Sequence, residues 1–241
     1  MLLVPVTRAD LVAYLPQGLN MAEIGVAKGG FSRVLLEKCA PARLYMIDPW
    51  EHQDVEHLAE DSNNPDQTAQ NERFDQVSHE FSPELKTGQV VLLRAYSHLA
   101  AEQIEDRSLD AVYIDGDHSF DAVLRDLNAF APKLRPGGLI LGHDYTNHAV
   151  VEFGVIAAVN TFVQERDYKF LAITTLDAFP TYAIAPALEG AAKTFAHTAL
   201  AGVPGVVELA NYPAGYSFSP KYIHKASGGT AFIPSFSTAS T

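Results

Sequence analysis

Two short stretches concentrate the residues that could do chemistry. Tyr113-Ile-Asp-Gly-Asp-His-Ser-Phe120 places Asp115, Asp117 and His118 directly after an apolar run, Leu109 to Ile114. Gly137-Gly-Leu-Ile-Leu-Gly-His-Asp-Tyr145 places His143 and Asp144 after another, Leu139 to Leu141. Neutral imidazole can take a hydroxyl proton at neutral pH, and carboxylates with imidazoles also make a donor set for a divalent cation. In an open parallel sheet, ligands collect beyond the carboxyl ends of the strands. Two such acidic strand ends in one sheet therefore mark a candidate site rather than surface decoration. Quieter readings compete: His118 caps a helix opening at Ser119, His143 packs beneath the site, and Asp117 orients His118. Adjacent residues of an extended strand face opposite ways, so His143 and Asp144 converge only if the chain leaves β geometry after Gly142.

A second constellation lies upstream. Glu23-x-Gly25-x-Ala27-x-Gly29-Gly30 joins a strand, Asn20 to Gly25, to a helix, Phe31 to Cys39. Small residues there let the backbone approach a ligand and take positive φ. Gly25, Ala27 and Gly30 match the spacing of a dinucleotide fingerprint with one alanine. Glu23, two residues before the first glycine, would repel a pyrophosphate and suits a positively charged amino group. The next strand, Arg43 to Asp48, ends in an acid placed to accept from ribose hydroxyls, whichever cofactor class is bound.

The elements that must position these residues follow from the alternation of apolar runs. Strands are expected at 20–25, 43–48, 89–93, 109–114, 139–141, 170–174 and 181–185. Helices are expected at 31–39, 97–103, 120–134 (closed by Pro136-Gly137-Gly138) and from about Ala149 to Glu165, with a short one opened by Thr7 and Asp10. The pattern indicates an α/β fold: a doubly wound, seven-stranded, mainly parallel sheet with helices on both faces. The last two strands are too close for a helical crossover, so the final one is antiparallel. Residues 51–88 form an insertion with a helix over Gln70 to Phe81, either a lid or substrate wall or a solvated surface. The domain is expected to span 1–186. Residues 187–241, rich in Ala, Gly, Ser, Thr and Pro but carrying Phe195, Tyr212, Tyr216, Phe218, Tyr222, Phe232 and Phe236, read as an irregular C-terminal arm. It is expected to dock on the domain or on a second subunit of a homo-oligomer.

Composition excludes some partners. A formal charge of −12 argues against a nucleic-acid backbone, whose binding needs Lys and Arg on phosphates. No apolar run approaches the roughly 20 residues of a membrane span, and the first residues lack a signal peptide's basic and apolar regions. Cys39 is the single cysteine, so a reducing cytoplasm is the expected compartment.

Over residues 18–186 the chain resembles the class I S-adenosylmethionine-dependent methyltransferases. Glu23 to Gly30 resembles their first motif, Ala27 departing from the commoner glycine, and Asp48 their ribose acid. A seven-strand order with a reversed final strand is implied as well. On this resemblance Glu23, Gly25, Ala27, Gly29, Phe31, Ser32, Asp48, Trp50, Ser97 and Asp115 form the cofactor pocket, with Trp50 either bordering it or lying in the core. The acid and histidine cluster resembles the macrocin O-methyltransferase-like branch, which implies a divalent metal (Mg, Mn or another transition metal) on Asp115, His143 and Asp144. His143 stands where that branch usually has a carboxylate, and imidazole favours Zn, Fe, Ni or Cu over Mg. His118, three residues after Asp115, takes the general-base position, so Asp115 and His118 are the expected catalytic pair, with Tyr145 and Asn147 placed toward the acceptor. The activity implied is methyl transfer from S-adenosylmethionine to a hydroxyl of a small molecule, a sugar or natural-product scaffold. The rivals are a metal-free methyltransferase using His118 and His143, a nicotinamide dehydrogenase using the same glycine turn, and a non-catalytic cofactor-binding scaffold.

Overall fold

The computed structural model describes residues 1–55, 58, 62–147, 153–224, 226, 228 and 230–238. The chain opens with a strand β1 (Leu2–Val4) and a one-turn helix α1 (Arg8–Leu11). Thr7 caps α1, its hydroxyl accepting from the Asp10 backbone and donating to the Asp10 carboxylate. Alternating strands and helices follow: β2 (Asn20–Ile24), α2 (Gly30–Cys39), β3 (Arg43–Asp48), then α3 (Gln67–Glu80) and α4 (Ser82–Thr87) of the insertion. Next come β4 (Val90–Arg94), α5 (Ser97–Ala101), β5 (Leu109–Ile114), α6 (Phe120–Phe130), β6 (Leu134–Gly142), α7 (Val155–Glu165), β7 (Lys169–Thr174) and β8 (Tyr182–Ala185).

The main sheet runs β4-β3-β2-β5-β6-β8-β7, and β8 is antiparallel to both its neighbours. These are the seven expected strands in the doubly wound arrangement, with the final one reversed. Two edge strands extend the sheet to nine: β1 pairs parallel with β7, and β9 (Val207–Glu208) pairs antiparallel with β1. Alternate residues of one strand feed opposite cores, since successive side chains point to opposite faces. Met21, Tyr113 and Leu139 pack with α2 residues such as Leu35 on one side, and Ala22, Val112 and Ile140 with α6 and α7 residues such as Leu127 and Phe162 on the other. Both faces are covered, which is why the central strands read as continuous apolar runs.

The strand order reverses between β2 and β5, and there the backbone sets the stagger of the strand ends. Gly25 N donates to Ile47 O at 2.9 Å, Asp115 N to Ile24 O at 2.8 Å and His143 N to Ile114 O at 2.9 Å. Gly25, Asp115 and His143 therefore stand side by side at the carboxyl edge.

Several boundaries differ from the expectation. The helix from Phe120 stops at Phe130, a 3₁₀ turn over Ala131–Lys133 follows, and β6 already begins at Leu134, passing through Pro136-Gly137-Gly138 with a register shift against β5. Helix α3 starts at Gln67 because Asp66 caps it, accepting from Ala69 N at 3.0 Å. Residues 149–152 of the expected long helix lie outside the described residues, and α7 begins only after Gly154. The C-terminal stretch is not wholly irregular: α8 (Gly190–Gly202) lies within it, burying Ala192, Phe195, Ala196 and Ala199. Beyond β9, two small hairpins pair β10 (Tyr216–Phe218) with β13 (Phe236–Thr238) and β11 (Lys221–His224) with β12 (Thr230–Ile233). The arm docks on the domain, where Phe218 stacks on Tyr145 at 5.4 Å and Tyr212 meets Phe170 at 5.0 Å. Among the described residues no helix is long and apolar enough to cross a membrane.

Gly154 locks α7 onto the start of α6. Its N–H donates to His118 O at 2.9 Å, and a Cβ there would lie 2.2 Å from Phe120 N. Gly154→Ala should destabilise the protein by about 1–3 kcal/mol, as overpacking of a close contact does. Gly30→Ala, where a Cβ meets nothing within 4 Å, should be neutral or stabilise by up to about 1 kcal/mol. Urea unfolding of the two variants checks the contrast, and equal midpoints would contradict it.

Candidate functional site

A cavity of about 740 Å³ opens over the carboxyl ends of β2, β3, β5 and β6, within the size range of small-molecule sites. Its floor is the turn after β2. Gly25 has φ +88°, and a Cβ on it would sit 2.0 Å from the carbonyl oxygen of Asp115. Only glycine allows β2 and β5 to end this close together. Ala27 also takes positive φ, at +49°, and is held there by neighbours. Asp48 accepts from Ala27 N at 2.9 Å and from Trp50 N at 2.7 Å, while Trp50 Nε1 donates back to Ala27 O at 2.9 Å. Burial pushes the Asp48 carboxyl upward in pKa, against those backbone donors.

Of the residues expected around a cofactor, Gly25, Ala27, Phe31, Asp48, Ser97 and Asp115 line this cavity. Glu23, Gly29, Ser32 and Trp50 lie behind its wall. Glu23 is 1% exposed and accepts from Ser32 Oγ at 2.5 Å, and burial pushes its carboxyl up to about 8. Gly29 faces the ring of Phe81, and Trp50 is fully buried edge-on to Phe74 at 5.1 Å. Glu51, the next residue, reaches the cavity instead, as do Gln53, Leu58 and Asn63 of the insertion, which is thus a wall of the site. Asp126 of α6 was not anticipated. It is 3% exposed, accepts from Ser97 Oγ, and burial pushes it up to about 6.

At the other end of the cavity the two acidic strand ends meet. The chain leaves β geometry at Asp144, whose φ is +57°, so His143 and Asp144 turn toward the same place. His143 Nδ1 lies 3.4 Å from Asp115 Oδ1 and 3.2 Å from Asp144 Oδ1, and His118 Nε2 lies 2.9 Å from Asp144 Oδ2. Asp115, His118 and Asp144 each offer a donor atom within 4.8 Å of the others. The trio that could share a cation therefore contains His118 where the sequence reading put His143. Burial would lower the His143 pKa, but its hydrogen bonds and charge contacts with Asp115 and Asp144 outweigh that and raise it to about 9. Burial would likewise raise Asp144, but the two imidazoles hold its carboxyl well below the usual range.

Arg8 completes the cluster, and no local signal pointed to it. Its Nη1 donates to Asp115 Oδ2 at 2.9 Å across 107 residues of chain, and its guanidinium lies 4.6 Å from the Phe31 ring centroid. The helix after His118 is capped by Ser119, which accepts from Ala122 N at 3.4 Å, while Asp117 accepts from Ser119 N at 2.8 Å. His118 is thus turned to Asp144 rather than used as a cap. Tyr145 does not reach an acceptor: it is buried, donates to Asn160 Oδ1 at 2.6 Å and contacts the Tyr212 hydroxyl. Asn147 is exposed outside the cavity.

An imidazole whose pKa is raised on folding contributes stability that is full below its unfolded value of 6.5 and is lost as pH rises through about 9. In chelator-containing buffer the unfolding free energy should therefore fall with rising pH across that window, by up to about 3 kcal/mol from this group. His143→Gln should flatten that limb. Parallel pH profiles for the two proteins would rule the linkage out.

The family model for a methyltransferase domain matches residues 22–145, just over half of the chain, from β2 through the turn carrying Asp144. No curated protein sequence matches. Among solved structures the fold is similar to the B. subtilis tRNA methyltransferase TrmK, at 12% identity and a TM-score of 0.50, covering 75% of this chain and 66% of that one. It is similar to precorrin 8W decarboxylase of Methanobacterium thermoautotrophicum, at 16% and 0.50, covering 76% and 92%. The pyocyanin biosynthetic protein PhzM aligns at 14% and 0.51, covering 74% and 55%. Identities this low show the fold alone. The matched span takes in the glycine turn, Asp48 and both acidic strand ends, and by that match the chain belongs to the methyltransferase-domain family.

Proposed function

We propose that the protein transfers a methyl group from S-adenosylmethionine to a hydroxyl of a small molecule, with His118 and Asp144 as the acid–base pair. The observation that carries this is the convergence of two carboxylates and two imidazoles on the cavity whose floor is the Gly25–Ala27 turn. The chain's residues fit the cofactor. Asp48 and Glu51 offer carboxylates at the ribose end, Tyr96 and Ser97 form the wall beyond them, and the bare backbone at Gly25 leaves room beside Asp115. When bound, S-adenosylmethionine supplies an electrophilic methyl carbon on a sulfonium.

The chain's own part is then positioning and proton removal. Asp144 accepts from His118 Nε2 and so fixes the ring, leaving Nδ1 as its basic nitrogen. An acceptor hydroxyl losing its proton to His118 would become the nucleophile in a displacement, where alignment supplies much of the acceleration. Phe153, 4.8 Å from the His118 ring, and Phe179 wall this end of the cavity. The acceptor class, a hydroxyl on a sugar or natural-product scaffold, is the one the resemblance to the macrocin-like branch suggests. The net charge of −12 speaks against RNA as the acceptor, since RNA binding draws on cationic groups.

A second reading rests on the spacing of Asp115, His118 and Asp144 within 4.8 Å. A divalent cation held by these three would lower the acceptor's pKa and orient its oxygen. The acid–base reading is favoured because Arg8 on Asp115, and His143 held protonated between Asp115 and Asp144, already balance the two carboxylates, leaving His118 neutral to act as the base.

Calorimetry with S-adenosylhomocysteine and with NAD, followed by transfer of labelled methyl to a panel of hydroxylated small molecules, tests the reading. S-adenosylhomocysteine should bind and NAD should not; the reverse would sink the proposal. His118→Ala should lower turnover by about 10²–10⁴-fold, the usual contribution of a general base, with product binding unchanged. Activity should survive a chelator. Loss in chelator with recovery on added Mn would replace the acid–base reading with the cation one.

A further inference from the structure

Arg8 is a cation facing into the cavity with no part in the proton chemistry above. Helix α1 is pinned by a backbone hydrogen bond from Arg8 N to the Asp177 carboxylate, so the side chain starts from a fixed point. The guanidinium crosses the first turn of α2 over Phe31 and ends on Asp115, with its side chain 34% exposed. This is the end of the cavity away from Asp48 and Ser97, where the ribose and adenine ends are placed.

Asp115 does not depend on Arg8 alone, because His143 Nδ1 stands 3.4 Å from its other oxygen. Guanidinium presents five donors in a planar fork suited to gripping a carboxylate through two bonds. A zwitterionic amino-acid head group entering between Arg8 and Asp115 would leave neither charge unmatched, which an uncharged or singly charged group would not achieve.

We propose that Arg8 is the anchor for the carboxylate of the cofactor's amino-acid end, paired with Asp115 and exchanged from it onto that carboxylate on binding. This rests on the S-adenosylmethionine reading and adds to it a residue outside the matched family span of 22–145. The exchange needs only a side-chain rotation, since α1 itself stays tied to Asp177.

The test is calorimetry on the full chain with two ligands, S-adenosylhomocysteine and 5′-methylthioadenosine. Both carry the nucleoside thioether, and only the first has the amino-acid head group. Arg8→Ala should weaken S-adenosylhomocysteine about 30-fold, within the range for losing a charge-assisted contact, and leave methylthioadenosine within about twofold. Arg8→Lys, which keeps the charge without the fork, should fall between wild type and Arg8→Ala. It also serves if the alanine variant folds poorly. Equal weakening of both ligands would mean that Arg8 merely shapes the pocket, and unchanged S-adenosylhomocysteine affinity in both variants would overturn the anchor. If wild type binds neither ligand, the cofactor reading fails, and the anchor with it.

Discussion

The site depends on how closely the ends of β2 and β5 approach. The main-chain bond from Asp115 to Ile24 and the absence of a side chain on Gly25 bring the glycine turn against the Asp115 carbonyl. The next bond, from His143 to Ile114, extends the same row to β6. One cavity therefore has a bare backbone floor at one end and a carboxylate–imidazole cluster at the other. Had the stagger differed by one residue, the side chains at the strand ends would have turned to the opposite face. The chemistry is thus positioned by main-chain hydrogen bonds, and side chains refine it.

Among the described residues, three non-glycine ones hold positive φ in the loops around the cavity: Ala27, Trp50 and Asp144. Left-handed backbone costs an ordinary residue about 1–2 kcal/mol, so each needs neighbours that fix it. Ala27 and Trp50 fix one another, through the shared Asp48 carboxylate and the indole bond to Ala27 O. Asp144 is gripped by His118 and His143. Asp48 therefore serves the turn as a brace as well as facing the cavity, and the rigidity of the cofactor end comes from the same atoms that would meet a ligand.

Much of this was legible in the chain. Strand ends could be read because apolar runs stop at acids, as at Ile114-Asp115, and the short gap before Thr181 required an antiparallel pair. The pleat supplied the condition under which His143 and Asp144 could converge, that the chain leave strand geometry there, and Asp144 at φ +57° meets it. Other features were not legible, for definable reasons. Arg8 meets Asp115 only through tertiary folding, and nothing local marks it. Residue type and offset placed Glu23 near a cofactor and the family resemblance placed Trp50 there, yet the turn's conformation decides which neighbours face inward, and it selected Glu51 over Trp50. Strands β1 and β9 are too short to show a period. Helix α8 had a signal that composition masked: Ala192, Phe195, Ala196 and Ala199 recur at helical spacing within a stretch that reads as low in complexity.

Charge is the last constraint on what the cluster can do. Asp115 and Asp144 are drawn together by the protonated His143 and Arg8 rather than pushed apart, so their mutual repulsion is already offset in the folded chain. A group entering this space must therefore exchange charge for charge, because removing one partner of even a partly buried pair leaves the other short of compensation. A dication would have to displace cationic partners it cannot coexist with at close range. A zwitterion would take the place of an ion pair without changing the sum. A neutral hydroxyl needs no displacement at all, which is why the balance of charges favours an alcohol beside His118 and an amino-acid head group beside Arg8.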